Sequence, residues 1–138
     1  MDDVLLNKAT HIDRCLVRIG EEYVGHESAL ETDYTRQDAI ILNLQRACEA
    51  AIDAAMHLVR IRKLGVPQRS RDAFSLLQEA GILDAELCDV LKKMVGFRNV
   101  SIHDYTELNM KVVRAILERR LDDLRRFSRL LHHLSTPS

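Results

Sequence analysis

The sequence has few of the residues that build β-structure. Tryptophan is absent, aromatic residues make up 4% of the chain, and there are five glycines and two prolines. Hairpin turns depend on glycine and proline, and the inner faces of sandwiches and barrels are rich in aromatic residues. The composition therefore argues against an all-β fold and favours a helical one. At 138 residues, 46% of them hydrophobic, the chain is long enough to form a core, and we expect residues 1–138 to be one domain.

Cysteines and metal-binding motifs are also scarce. The chain has three cysteines, Cys15, Cys48 and Cys88. An odd number of widely spaced cysteines fits reduced, buried thiols better than a disulfide framework. Neither CxxC nor HExxH occurs, and His11 with Cys15, or His132 with His133, offers only two ligands. Because a metal site usually needs three or four ligands, the sequence predicts no metal, and we expect no cofactor.

No long apolar run is present either. Residues 1–8 begin with acidic side chains and show neither a secretory signal nor a presequence. No stretch approaches the roughly 18 uncharged apolar residues that are needed to span a membrane. We therefore expect a soluble, cytoplasmic protein without a membrane partner.

The chain also lacks an excess of one charge. Its 20 basic and 21 acidic side chains give a net charge of −1, whereas proteins that hold nucleic acid by bulk charge alone are usually distinctly basic. The two signs are unevenly placed, because acidic residues concentrate before residue 39 and a basic group follows further along the chain. The basic group consists of Arg60, Arg62, Lys63, Arg69 and Arg71. Its members are candidates for contacts with an RNA backbone or with an acidic partner protein.

Apolar residues recur at helical spacing along most of the chain. A long run with small residues, 39–64, follows Thr35, which we take as a helix cap with the acid Asp38 three residues on. Gly81 and Asp84 mark the end of one helix and the start of the next. The predicted helices are 3–22, 39–64, 70–80, one from residue 84 into 97–105, and one through residues 112–134. The sequence therefore predicts an all-α fold, an antiparallel bundle of about five helices around the small-residue helix.

Residues with the chemistry of a nuclease concentrate between Arg98 and Tyr105. At about 100° per residue, Asn99 and His103 share one stripe of a helix, while Arg98 and Tyr105 share the adjacent stripe. Asn99 can then hydrogen-bond one ring nitrogen of His103 and set which nitrogen carries the proton. Histidine can take the proton from a ribose 2′-hydroxyl, and arginine can stabilise the charge that develops on the phosphorane. The segment is therefore competent for RNA cleavage without a metal.

Such a reaction also needs an acid for the leaving 5′-oxygen, and the segment has a single histidine, His103. A symmetric dimer would bring two copies of the segment together and supply one base and one acid. We therefore expect a homodimer. The same residue types can also cap helix carbonyls or decorate a surface, so residue types alone leave a structural role open.

Arg98, Asn99 and His103, followed by Tyr105, resemble the R-x4-H-x-Y motif of the HEPN superfamily, in the form found in the HepT toxins of MNT/HepT toxin–antitoxin modules. The chain length, the small-residue helix with its basic tail and the long closing helix are similar as well. The resemblance implies a dimeric HEPN bundle whose paired Arg98 and His103 form a composite ribonuclease site at the dimer interface, with Asn99 as a supporting polar residue. It also implies a cognate minimal nucleotidyltransferase antitoxin that inactivates the toxin by transferring AMP from ATP to Tyr105.

Two other functions compete with that of a ribonuclease toxin. A non-catalytic nucleotide- or partner-binding subunit of a minimal nucleotidyltransferase would use Arg98 and His103 to hold phosphate without breaking a bond. A structural bundle without a ligand would tolerate replacement of both residues. Because few aromatic side chains are available to stack on bases, we expect an RNA substrate to be engaged through its backbone, and its identity, messenger or transfer RNA, stays open.

Overall fold

The computed structural model describes residues 1–136. This part of the chain contains six α-helices and two short 3₁₀ turns, and no strand. The helices are α1 (Asp3–Tyr23), α2 (Tyr34–Ile61), α3 (Ser70–Glu79), α4 (Ala85–His103), α5 (Met110–Arg119) and α6 (Leu121–Ser135). The 3₁₀ turns are Glu27–Ala29 and Tyr105–Glu107. The predicted all-α fold is confirmed, and none of the described helices is long and apolar enough to cross a membrane.

The last predicted helix is in fact two helices, which raises the number from about five to six. α5 ends at Arg119 and α6 begins at Leu121, with Arg120 between them at a φ of −119°. We predicted one helix because apolar residues keep their helical spacing across the break, and neither glycine nor proline marks it. Asp122 and Asp123 occupy the first turn of α6, where the helix dipole favours negative charge.

α2 begins earlier than predicted, and its cap is a different residue. The carboxylate of Asp33 accepts the backbone N–H of Arg36 at 3.1 Å, so Asp33 and not Thr35 is the N-cap. The predicted pairing of Thr35 with Asp38 at the helix start was therefore wrong. Asp38 lies inside the helix near its beginning, and its side chain is available for a contact with another element.

α2 is the central helix, as its small residues predicted. It packs against α1, α3, α4 and α6. Its buried alanines are Ala47, Ala50, Ala51, Ala54 and Ala55. Because alanine has no bulk beyond Cβ, neighbouring helices can approach α2 closely. Elsewhere in the core, Phe74 of α3 and Phe127 of α6 meet edge to face, with ring centroids 5.9 Å apart.

The three cysteines are buried and free, which confirms the prediction of thiols without a disulfide framework. Burial raises the pKa of each thiol above its ordinary value, and it raises that of Cys48 to about 12. The thiols are therefore protonated at neutral pH and behave as small apolar core residues.

Candidate active site

The motif residues lie at the C-terminal end of α4 and in the turn that follows it. Asp84 caps the start of the helix, as predicted. α4 ends at His103, because Asp104 leaves the helical conformation at a φ of −151°. Tyr105 then opens the second 3₁₀ turn. The expectation that Tyr105 shares a helical stripe with Arg98 was therefore wrong, since the helix does not persist as far as residue 105.

α4 runs antiparallel along the N-terminal half of α2. The hydroxyl of Ser101 donates to Oε1 of Gln45 at 3.2 Å, and the hydroxyl of Tyr105 donates to the carboxylate of Asp38. As the residue number rises on α4 it falls on α2, and the paired residues are 56 and 67 positions apart in sequence. The packing of these two helices therefore decides which residues of α2 adjoin the motif.

Arg98 is half-buried, and its side chain forms no ion pair with any described residue. Its Nε is buried without a hydrogen-bond partner. The guanidinium lies close enough to Cys48 of α2 for its positive charge to oppose the effect of burial on the pKa of that thiol. A buried donor without an acceptor costs about 1–3 kcal/mol. Because no carboxylate of residues 1–136 neutralises Arg98, its planar fork is available to an anion such as a phosphate.

His103 and Asn99 are both exposed. Neither side chain has a hydrogen-bond partner within the described part of the chain, so the predicted bond between Asn99 and His103 is absent. The imidazole of His103 is the last side chain of α4 and faces solvent. Either of its nitrogens is therefore open to a substrate or to another protein, and no neighbour fixes which one carries the proton.

Tyr105 is 40% exposed, yet its hydroxyl has a defined partner in Asp38. Partial burial raises the pKa of Tyr105 to about 12, and the hydrogen bond and negative charge of Asp38 add to that effect. The phenol is therefore neutral at physiological pH. Sequence reasoning missed Asp38, because its spacing from Thr35 suggested a local capping role.

The predicted basic group divides into two parts in the structure. Arg60, Arg62 and Lys63 are exposed at the C-terminal end of α2 and just after it, where Arg60 donates to Nδ1 of His57 at 3.0 Å. Arg69 and Arg71 lie at the start of α3 and line a cleft of about 370 Å³ against α4. The five predicted cations therefore lie at two helix ends, the C-terminal end of α2 and the start of α3.

Arg71 reaches α4, the helix that carries the motif. A Cβ added to Gly96 of α4 would lie only 2.9 Å from a terminal nitrogen of the Arg71 guanidinium, so glycine permits this close approach. Gly96 precedes Arg98 by two residues. Lys92 and Lys93 of α4 line the same cleft as Arg69 and Arg71. The sequence of residues 60–71 alone could not show that these two lysines lie beside the predicted basic group. Lys93 is paired with Asp89 at 3.1 Å, which makes Lys92 and Arg71 the better contacts for an anion.

The pairs considered as metal ligands have other partners or lack a third ligand. Nε2 of His132 is 2.9 Å from a carboxylate oxygen of Asp13. Within residues 1–136 no group of three or more histidine, cysteine, aspartate or glutamate side chains is placed to hold a metal ion.

Several known proteins are similar to this chain in sequence and in structure. The family described as ribonuclease HepT-like matches residues 12–131. The mRNA nuclease HepT of Shewanella oneidensis strain MR-1 is 47% identical over 127 residues, which cover 92% of this chain and 95% of that protein. A crystal structure of a toxin–antitoxin with AMP-PNP contains a chain with a TM-score of 0.91 and 44% identity, covering 96% of this chain and 99% of that one.

A second solved structure contains the tri-AMPylated HEPN toxin of Shewanella oneidensis in complex with MNT antitoxin. Its toxin chain has a TM-score of 0.90 and 45% identity, covering 96% of this chain and 99% of that one. The predicted resemblance and the predicted enzyme class, a ribonuclease, are both confirmed. The chain belongs to the HepT-like ribonuclease family.

Proposed function

We propose that this chain is the toxin of an AMPylation-regulated toxin–antitoxin module. It is a metal-independent endoribonuclease whose composite site combines Arg98 and His103 from two copies of the chain, with Asn99 in support. A cognate minimal nucleotidyltransferase antitoxin inactivates it by AMPylation of Tyr105. The observation that carries the proposal is the arrangement at the end of α4, where an unpaired arginine, an open histidine and an accessible tyrosine lie within eight residues.

Cleavage requires two proton transfers and the stabilisation of the negative charge that develops on the phosphate. One copy of His103 takes the proton from a ribose 2′-hydroxyl, whose oxygen attacks the adjacent phosphorus. Arg98 stabilises the negative charge that builds on the phosphorane oxygens. The bond to the 5′-oxygen then breaks, and the second copy of His103 protonates that leaving group. The products are a 2′,3′-cyclic phosphate and a free 5′-hydroxyl.

Homodimer formation is supported by apolar surface next to the motif. Val100 of α4 and Val112 of α5 are each more than 40% exposed. Both line a cleft of about 490 Å³ between these two helices, and most of the side chains in that cleft are apolar. Exposed apolar patches of this kind are typical of protein–protein contacts. If a second copy of the chain covered this patch, the motif-bearing α4 helices of the two copies would lie close to one another.

Inactivation at Tyr105 is supported by position and by access. Tyr105 follows His103 by two residues and is exposed enough to be reached by an enzyme. An attached AMP would place a phosphodiester charge and a nucleoside beside His103, where they would compete with the substrate phosphate. The Shewanella oneidensis toxin is AMPylated in its complex with the MNT antitoxin, which supports the same type of partner here.

Basic side chains outside the motif are candidates for contacts with RNA. Arg71 and Arg69 lie close to the motif helix and are the first candidates for contacts with the RNA backbone. Arg60, Arg62 and Lys63 lie at the C-terminal end of α2 and just after it, and they are candidates for contacts with RNA or with the antitoxin. We place the module in the cytoplasm, and we treat residues 1–138 as one domain because helices from both ends of the chain share one core.

Replacement of Arg98 or His103 by alanine tests the ribonuclease. Each change should lower cleavage by a factor of roughly 100 or more, because general acid–base catalysis and charge stabilisation each contribute about that much. Growth arrest on expression without the antitoxin should be lost in parallel. His133→Ala and Arg129→Ala are matched controls, since both residues are exposed on α6, and they should cleave RNA normally.

The same experiment separates the competing functions. If the wild-type chain accumulates harmlessly without a partner and does not cleave RNA, it is a non-catalytic binding subunit. If Arg98→Ala and His103→Ala both remain toxic, the active site lies elsewhere on the bundle. If neither change affects nuclease activity or partner binding, the motif is structural.

A further inference from the structure

The hydroxyl of Tyr105 is hydrogen-bonded to a residue from a different part of the chain. Asp38 lies near the start of α2, and its carboxylate accepts the phenolic proton. Asp33 caps that helix, so Asp38 has no capping role. Within residues 1–136 Asp38 also lacks a cationic partner, so no cation competes with the Tyr105 hydroxyl for its carboxylate. This contact depends on the antiparallel packing of α4 on α2, which holds it in place.

Modification of Tyr105 presents a chemical problem that this contact addresses. A phenol with a pKa of about 12 is neutral at physiological pH, and a neutral phenol is a weak nucleophile towards phosphorus. It must lose its proton as it attacks. Asp104 and Glu107 carry carboxylates in the same segment, but neither is hydrogen-bonded to the Tyr105 hydroxyl. Among residues 1–136, Asp38 is the carboxylate that accepts a hydrogen bond from the Tyr105 hydroxyl.

We propose that Asp38 is the general base for AMPylation of Tyr105, so that the toxin supplies a catalytic residue for its own inactivation. This inference rests on the proposed function, in which Tyr105 is the acceptor of AMP. The nucleotidyltransferase would then supply the bound nucleoside triphosphate and its activation, while α2 of the toxin supplies the proton acceptor.

The step balances without a further reactant beyond a nucleoside triphosphate. Oη of Tyr105 forms a bond to the α-phosphorus, and the bond from that phosphorus to the oxygen bridging to the β-phosphate breaks. Pyrophosphate leaves with the bonding electrons. The phenolic proton passes to a carboxylate oxygen of Asp38 and from there to water.

The product has a different relation to Asp38 than the phenol has. AMPylated Tyr105 has no hydroxyl proton, so the hydrogen bond to Asp38 is lost. The phosphodiester adds a negative charge close to the carboxylate, and the two groups repel each other. The turn that carries Tyr105 therefore loses its tie to α2 once the toxin is modified.

The test measures the rate at which the purified full-length toxin is AMPylated by its cognate nucleotidyltransferase with α-labelled ATP. Asp38→Asn keeps the size of the side chain but removes the base, and the initial rate should fall roughly 100-fold, a typical contribution of general base catalysis. Asp38→Glu should restore part of the rate. Asp53→Asn is the matched control, because Asp53 is an exposed carboxylate on the same helix with only a surface contact to Lys8 at 3.3 Å.

The pH dependence distinguishes a base from a merely structural residue. Without Asp38 the reaction depends on ionisation of the phenol itself, so the Asp38→Asn rate should rise about tenfold per pH unit between pH 7 and 9, while the wild-type rate changes much less. His103, Asp104 and Glu107 are the titratable groups nearest in sequence to Tyr105 and are present in both proteins. Their effects, and those of the nucleotidyltransferase, cancel in the ratio of the two rates.

Two results would overturn the inference, and they differ from each other. If Asp38→Asn is modified within about threefold of the wild-type rate with the same pH profile, while Tyr105→Phe is not modified, Asp38 is not the base and the proposed function stands. If Tyr105→Phe is AMPylated as fast as wild type, the acceptor is another residue and both proposals fail. Thermal melting by circular dichroism identifies any variant that loses rate because it unfolds.

Discussion

Two tyrosines of this bundle share the same chemistry and differ in their surroundings. Tyr23 of α1 donates its hydroxyl to Oε1 of Glu118 at 2.5 Å, and Tyr105 donates its hydroxyl to Asp38. Burial and the acceptor carboxylate raise the pKa of each phenol to about 12. The exposed fraction is 5% for Tyr23 and 40% for Tyr105. Only the second can be reached by a modifying enzyme.

A cation also distinguishes the two pairs. Arg114 of α5 lies 3.3 Å from the hydroxyl oxygen of Tyr23 and binds both carboxylate oxygens of Glu31, at 2.5 and 2.7 Å. It therefore ties α1 and α5 to the segment between α1 and α2, and its charge offsets that of the Glu118 carboxylate. The Tyr105–Asp38 pair has no cation among the described residues. A raised tyrosine pKa is thus common to a structural network and to a proposed reactive site. The two differ because the Tyr105 hydroxyl is accessible and its acceptor, Asp38, has no cationic partner among the described residues.

The largest expected difference between the two tyrosines is in their AMPylation by the antitoxin. Tyr105→Phe should prevent AMPylation, so the toxin should arrest growth even when the active antitoxin is present. Tyr23→Phe should be AMPylated and neutralised like the wild type, because it removes a hydroxyl that no enzyme can reach. Mass spectrometry of the co-expressed toxin and colony growth measure the two effects. Mapping of AMP to Tyr23, or full neutralisation of Tyr105→Phe, would break the comparison.

Stability should respond in the opposite order. Tyr23→Phe removes a buried hydrogen bond to a charged group and should lower the free energy of unfolding by about 1–2 kcal/mol. Tyr105→Phe removes a partly exposed hydrogen bond and should lower it by less than about 1 kcal/mol. Urea unfolding followed by circular dichroism gives both values. The proteins must be compared at one concentration, because a dimer would make stability concentration-dependent. Equal losses would mean that Tyr105 is as much a structural residue as Tyr23.

Part of this comparison was accessible from sequence, because local signals mark most helix ends and the motif. Asp84 caps α4 as predicted, and Gly81 adopts the left-handed conformation, at a φ of +77°, that ends the helix before it. The small residues of the run 39–64 predicted that α2 is the central helix, and the structure confirms it. The break at Arg120 was not predicted because the apolar spacing continues through it. The acidic pair Asp122 and Asp123 that follows it is nevertheless typical of the first turn of a new helix.

The missed features of the site all depend on contacts between distant parts of the chain. Asp38 was assigned to a local partner, Thr35, whereas its actual partner is 67 residues away. The approach of Arg71 to Gly96 depends on how α3 packs against α4, which no local pattern encodes. Sequence reasoning could therefore name the motif residues, but it could not identify which side chains of α2 and α3 adjoin them.

The smallest expected difference appears at alkaline pH. Both phenols have a pKa of about 12 in the folded chain, against about 10 for an unperturbed tyrosine. Between these values the unfolded chain has released protons that the folded chain retains, so the free energy of unfolding should fall as pH rises from 10 to 12. The slope of this fall is proportional to the number of protons by which the folded and unfolded chains differ, and Tyr23→Phe should lower that number by up to about one. Tyr105→Phe should reduce it less, because solvent screens a partly exposed group. Urea unfolding at several pH values between 10 and 12 measures both slopes, and a larger change for Tyr105→Phe would contradict the assignment of Tyr23 to the more rigid network.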